Sequence, residues 1–276
     1  MSFNLIISGG HFGSFNMSAD IFLLNRYKTA DAFSANPTLR IYYFNPPALS
    51  LGFFQKDKNI DDKIIEKAKN NGFDIVSRPT GGRAVLHKSE ITYSVTASYK
   101  NGIFAGKLIE TYKKISEFLY LFFIKLGLKP DNVNYPNINI FRDKNKENKE
   151  NNKNGRNNFN CFLKAHSYEI TFDGKKICGN SQRRNDFAFL QHGSIYIDYK
   201  PEEHIEIFGG SGGDYNAYFN NITGILREIN KNKELNNLHK QTAEELTFDY
   251  LSEILALSFS EAYNLEPVIL QENILE

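Results

Sequence analysis

The chain has no tryptophan, two cysteines, two methionines and a net charge of +1 in 276 residues. Cys161 and Cys178 are too few for a disulfide scaffold, so reduced thiols and a cytoplasmic setting are expected. A charge so near balance supplies no global field towards nucleic acid or an anionic membrane, and neither is expected as a partner. Met1 to Gly10 lacks both the basic region and the long apolar run of a secretory signal. The most apolar window, Phe118 to Leu128, is interrupted by Lys125 and is too short to span a bilayer, so it reads as a core helix. No metal-ligand spacing, phosphate loop, Ser-His-Asp pattern or internal repeat is found, so no metal is expected.

What remains is a chain with ample core. Hydrophobic residues make up 41% of it, with abundant Phe and Tyr. Helix-like spacing runs over Phe15 to Arg26, with Ser14 or Asn16 as candidate N-cap, and over Ile60 to Asn71, with Asn59 as cap and Gly72 as stop. Strands are expected at Leu39 to Phe44, Ala48 to Phe54, Phe73 to Val76, Arg83 to Leu86 and Ile91 to Thr96, then a long helix at Lys107 to Leu126. Asp173-Gly174 marks a hairpin between Tyr168 to Phe172 and Lys175 to Ser181. Phe187 to Leu190 and Ser194 to Tyr199 continue the sheet, and Tyr215 to Ile229 and Ala243 to Tyr263 read as helices. The pattern is α+β, a largely antiparallel sheet flanked by helices. Residues 143 to 158 carry no apolar side chain to offset ordering entropy and read as a surface loop inserted in one domain spanning 1–276.

Three places could carry chemistry. The first is Ser77-Arg78-Pro79-Thr80-Gly81-Gly82-Arg83-Ala84-Val85-Leu86-His87. Gly81 and Gly82 let backbone amides approach a ligand, and Arg78, Arg83 and His87 surround that bare backbone. Such a turn can hold a carboxylate, thioester or acyl phosphate, although an ordinary hairpin turn reads equally well from turn chemistry alone. The second is Lys176. Hairpin pairing puts Phe172 opposite Lys175 and Thr171 opposite Lys176. Lys175 then sides with Ile170, Phe172 and Ile177, while Lys176 shares the opposite face with Glu169, Thr171 and Cys178. A lysine beside a hairpin turn is usually solvated, but adjacent lysines cannot both point the same way. The third is a thiol. Cys161 follows the polar tract, where a nucleophile can be exposed, although a free Cys is usually a small buried hydrophobe. Cys178 competes with it, two residues from Lys176 on the same face.

These segments resemble, in order, motifs of the lipoate-protein ligase and octanoyltransferase superfamily, which includes biotin protein ligases. Ser77 to His87 is similar to R-R-P-T-G-G-R-A-V-L-H, with Ser77 for the first Arg. Pro47 to Gln55 resembles P-x-L-S-L-G-x-x-Q, Gly174 to Gln182 resembles G-K-K-L-V-G-S-A-Q, and Leu190 to Ile195 resembles L-Q-H-G-S-I. Cys161 to Glu169 resembles C-F-x-x-P-S-x-Y-E of the cysteine-dependent octanoyltransferases, with Ala165 and His166 for Pro and Ser. The resemblance implies a fold like the catalytic core of biotin ligases and class II aminoacyl-tRNA synthetases. It implies an acyl thioester on Cys161, with Lys176 as the invariant lysine beside it, and ranks Cys178 second because the family has a small residue there. Arg78, Gly81, Gly82, Arg83, His87, Gly179 and His192 are the implied substrate-binding residues. The implied donor is octanoyl-acyl carrier protein. The implied acceptor is a lipoyl-domain lysine, with glycine cleavage H protein expected. No cofactor is implied, because a thioester already holds the energy that a ligase takes from ATP. An ATP-dependent lipoate-protein ligase, a lipoyl-domain amidotransferase and a non-catalytic carrier-binding protein are the other readings.

Overall fold

The structure, a computed structural model, describes residues 1–28, 36–55, 60–100, 102–131, 169–209, 215–235 and 242–275. The tract at 143 to 158, Asn59, Cys161, Ala165 and His166 lie outside the described residues.

The larger sheet has six strands. In chain order they are β1 (Ser2–His11), β2 (Thr38–Phe44), β6 (Glu90–Ser98), β9 (Cys178–Arg184), β10 (Ala188–Tyr196) and β11 (Glu266–Ile269). Across the sheet they run β11-β1-β2-β6-β10-β9. The β2–β6, β6–β10 and β10–β9 pairings are antiparallel, whereas β1 pairs in parallel with both β2 and β11. The sheet is therefore mixed, antiparallel at the end that carries the site. A smaller sheet is formed by β3 (Ala48–Leu51), β4 (Asp74–Ser77) and β5 (Val85–His87), in the order β4-β3-β5. The hairpin consists of β7 (Thr171–Phe172) and β8 (Lys175–Lys176), with the expected partners Thr171–Lys176 and Phe172–Lys175.

Period-two alternation gives the larger sheet two different faces. Ile91, Tyr93, Val95 and Ala97 of β6 join the main core under α3 (Leu108–Lys125) and α7 (Phe248–Tyr263). Phe118, Phe122, Phe123 and Phe259 are fully buried there, each contributing about 1.5–3 kcal/mol by removal from water. The opposite face carries Arg40, Tyr42, Thr92, Ser94, His192 and Ser194, all buried. Helix α1 (Gly13–Arg26) packs across this polar face against β2, β6 and β10, and also touches β4.

Several boundaries depart from expectation for physical reasons. Helix α1 takes no cap from Ser14 or Asn16; its first N–H, that of Gly13, donates instead to Asp74 Oδ2 at 2.9 Å. Helix α2 (Asp62–Asn70) is capped by Asp61, whose carboxylate accepts from Lys63 N. Strand β3 stops at Leu51 because Gly52 lies against the Gly81-Gly82 turn, and Phe53–Gln55 form a 3-10 turn. The two segments expected around His192 are one continuous strand, β10. Further helices among the described residues are α4 (Pro201–Phe208), α5 (Tyr215–Asn221) and α6 (Ile225–Leu235). The single helix expected at 215–229 breaks between α5 and α6, where Thr223 N donates to Lys176 O at 3.0 Å.

Candidate active site

The polar face of the sheet is organised around one carboxylate. Asp20 of α1 has no solvent exposure. It accepts from Tyr42 Oη (2.9 Å), Ser94 Oγ (2.8 Å) and Arg40 Nη1 (3.2 Å), and faces His192 Nδ1 at 2.9 Å. Burial alone would raise the Asp20 pKa, but the His192 hydrogen bond and the Arg40 charge outweigh it and hold the carboxyl below its ordinary value. An ionised Asp20 fixes the His192 tautomer with the proton on Nδ1, leaving Nε2 to meet Thr80 Oγ1 at 2.6 Å. A chain of contacts thus runs from the buried helix to the Pro79-Thr80-Gly81-Gly82 turn.

Arg78 holds the turn from inside. It is buried, with Nη1 donating to Ser50 O (3.0 Å) and Ser50 Oγ (3.2 Å), and Nη2 to Gly81 O (2.9 Å) and Arg83 O (2.6 Å). Its terminal donors are therefore committed to backbone and Ser50, and Arg83 enters this network through its carbonyl. Gly82 has φ of 96°, a left-handed conformation suited to glycine. A Cβ on Gly52 would lie 1.9 Å from Gly82 O, which is why glycine must follow β3 where it meets the turn. Gly81 has nothing within 4 Å of a would-be Cβ and so presents open space beside its backbone.

Beside Arg78 lies a small cleft of about 30 Å³, which the turn residues Pro79 to Gly82 do not line. Met17, Phe44 and Val85 give it apolar walls, and Gly179, Asn180 and Ser181 also line it. His87 also lines it, stacked on Phe44 with ring centroids 4.0 Å apart. Its Nε2 meets Ser50 Oγ at 2.7 Å and its Nδ1 meets Ser194 Oγ at 3.0 Å. Burial lowers the His87 pKa, with Glu90 acting against the shift, so the ring is neutral near pH 7. His87 and His192 therefore have both nitrogens engaged within the protein, and their geometry makes them hydrogen-bonders of the cleft wall.

The two hairpin lysines diverge as the pairing requires. Lys176 is 1% exposed and its Nζ lies 2.6 Å from Glu169 Oε1. Lys175 is half-buried and donates to Phe219 O at 3.2 Å. Cys178 sits in the main core, its thiol donating to Asn180 Oδ1 at 3.0 Å. Burial pushes that thiol up, and the nearby Lys176 charge only partly opposes the shift. Cys178 is thus an inert protonated thiol, which removes the local argument for it as nucleophile. Asn180 Oδ1 also accepts from Tyr93 Oη at 2.8 Å.

Sequence reasoning missed Asp20, Thr80, Ser50 and Asn180. Asp20 had a usable signal: an acidic residue on the apolar side of α1, four residues after the equally buried Asn16. Asn180 lay within the Gly174 to Gln182 motif beside Gly179, but its contact with Tyr93, 87 positions away, was not legible.

The residues of this cleft and the sheet that carries them define a family. The chain belongs to the lipoyl protein ligase A/B catalytic domain family, whose model matches residues 13–259. It is 35% identical over 207 residues to octanoyltransferase LipM of Kyrpidia tusciae, covering 73% of this chain and 68% of that one. It is 32% identical over 263 residues to octanoyltransferase LipM of Anoxybacillus flavithermus, covering 95% and 86%. Among solved structures, lipoate-protein ligase A bound with ATP superposes with a TM-score of 0.67 at 16% identity, covering 100% of this chain and 92% of that one. The putative lipoate protein ligase from Thermoplasma acidophilum with bound lipoic acid gives 0.65 at 16% identity, covering 100% and 93%. At such identities the structures show the fold alone. Among the described residues no helix is long and apolar enough to cross a membrane.

Proposed function

We propose that the chain is an octanoyltransferase that moves octanoate from octanoyl-acyl carrier protein to a lysine of a lipoyl-domain protein, glycine cleavage H protein being the expected acceptor. The observation that carries this reading is the 32% identity, over 95% of the chain, to a protein named octanoyltransferase. The cytoplasm, where thiols stay reduced, is its proposed location.

The chemistry is two acyl exchanges. In the first, the Cys161 thiol gives up its proton and its sulfur attacks the thioester carbonyl. A new C–S bond forms, the carrier's C–S bond breaks, and the departing thiolate takes up a proton. In the second, a neutral lysine amine of the acceptor attacks the acyl-Cys161 carbonyl. A C–N bond forms, the Cys161 sulfur leaves and is reprotonated, and the amide nitrogen loses its extra proton. Lys176 is the proposed proton carrier and the charge that favours the thiolate. Its pairing with Glu169 keeps a buried ammonium compensated, so the charge can persist without solvent. The apolar walls at Met17, Phe44 and Val85 suit an alkyl chain, and the Gly81-Gly82 backbone can approach the acyl end.

The test is an intact-mass assay with octanoyl-carrier protein. The wild type is expected to gain one octanoyl group that hydroxylamine removes, and Cys161→Ala is expected to gain none. Acylation that survives Cys161→Ala and vanishes in Cys178→Ala would reassign the nucleophile.

A further inference from the structure

We infer that the side-chain amide of Asn180 is the group that binds the acyl carbonyl oxygen in the cleft, and that Cys178 aims it together with Tyr93. The inference rests on the octanoyl-transfer reading and names a substrate contact within that site.

The argument begins with a count of uncommitted donors. The imidazoles of His87 and His192 have both nitrogens engaged. The terminal nitrogens of Arg78 are spent on the turn and Ser50. Ser181 Oγ donates to Gly81 O at 2.9 Å, and Tyr42 Oη donates to Asp20. Thr92 Oγ1 donates to Glu90 at 2.5 Å, and Ser194 sits between Thr92 and His87. Asn180 differs. Its Oδ1 accepts from both Tyr93 Oη and Cys178 Sγ, while its Nδ2 meets no acceptor among the described residues. Of the described side chains lining the cleft, Asn180 alone keeps two N–H donors without a protein partner.

The ligand supplies the complement. An octanoyl thioester has one good hydrogen-bond acceptor, its carbonyl oxygen, and the rest of the acyl group is hydrocarbon. The apolar side chains Met17, Phe44 and Val85 can take the hydrocarbon, so the carbonyl is left for an uncommitted donor of the lining, which Asn180 supplies. When a thiolate attacks, the carbonyl π pair moves to oxygen and the hydrogen bond from Nδ2 strengthens. The amide orientation is not arbitrary. Tyr93 Oη and the buried Cys178 thiol, whose pKa burial raises, both donate to Oδ1, which turns Nδ2 away from them. Gly193 makes room for this: a Cβ there would lie 2.0 Å from Asn180 Oδ1. This assigns a role to a buried cysteine that the acyl-transfer chemistry otherwise leaves idle.

Two substitutions separate contact from packing. Asn180→Asp keeps the Oδ1 acceptor for Tyr93 and Cys178 and replaces the donor by an acceptor; Asn180→Ala removes the amide altogether. The readout is the single-turnover rate of Cys161 acylation by octanoyl-carrier protein, with melting temperature measured alongside. Loss of one such donor is expected to slow acylation by about 100-fold in both variants. Cys178→Ala is expected to lower the rate more modestly, by releasing the amide, and Cys178→Ser, which keeps a donor, to restore it. If the wild type acylates and both Asn180 variants acylate at the wild-type rate, the inference is overturned. The same holds if the rate falls only in step with unfolding. An inactive wild type would instead overturn the transfer reading itself.

Discussion

Asp20 receives contacts from Arg40, Tyr42, Ser94 and His192 inside a site closed to water. Arg40 is equally buried, with Nε donating to Ser8 Oγ at 2.9 Å and Nη2 to Asn16 Oδ1 at 2.7 Å. Asp20→Asn leaves that guanidinium buried without its counter-charge, which is expected to cost about 3–5 kcal/mol in urea unfolding at pH 7. The pH sign follows from the lowered pKa of Asp20. Its contribution is complete above the ordinary carboxylate value and fades as pH falls through the lower folded value. The Asp20→Asn variant should therefore lose less stability below pH ~4 than the wild type does. At this scale the sequence was informative where a local rule applied. Hairpin pairing with a two-residue loop separates Lys175 from Lys176, and the structure buries the second and leaves the first half-exposed. Lys176→Ala is expected to abolish most transfer and Lys175→Ala to leave it nearly unchanged, measured as product on a lipoyl domain. Equal loss in both would contradict the division of roles. Long-range partners were not legible, because nothing in the local sequence tells His192 that it will meet Asp20, 172 positions away.

Among the elements, β3 and helix α4 make the most exposed claims. Gly52 ends β3 against the Gly82 carbonyl, so Gly52→Ala must displace the turn that Arg78 braces. The expected result is a loss of about 1–3 kcal/mol with a larger proportional loss of transfer, read from paired melting and activity measurements. Helix α4 carries His204, buried and paired with Tyr196 Oη at 2.8 Å. Burial lowers its pKa to about 4. The unfolded chain binds that proton from pH ~6.5 downward while the folded chain refuses it until about 4, so stability falls as pH drops across this window. The loss is on the order of 3 kcal/mol, and His204→Gln should flatten the melting-temperature profile between those limits. Helix α4 was legible in principle, since Pro201 at its first turn with Glu202 and Glu203 is a start signal. Strand β11 was not, because all four of its residues are exposed and show no alternation.

On the scale of the whole molecule, one sheet divides two environments. Its apolar face closes on α3 and α7, and its polar face closes on α1 and the smaller sheet, with the cleft between them. The α+β class was legible from the spacing of strands and helices. The parallel half was not, because β1 and β2 pair across the intervening α1, and β1 and β11 pair from opposite ends of the chain. The motif segments lie far apart in the sequence, yet Ser50, Arg78, His87, Gly179 and His192 from them line one cleft. The central claim is transfer from a thioester without nucleotide. The most direct measurement incubates the protein and a lipoyl domain with either octanoyl-carrier protein alone or free octanoate with ATP and magnesium, and detects octanoyl-lysine by mass. The account predicts modified acceptor from octanoyl-carrier protein alone, lost in Cys161→Ala; modification only from free octanoate with ATP would contradict it and make the chain a ligase.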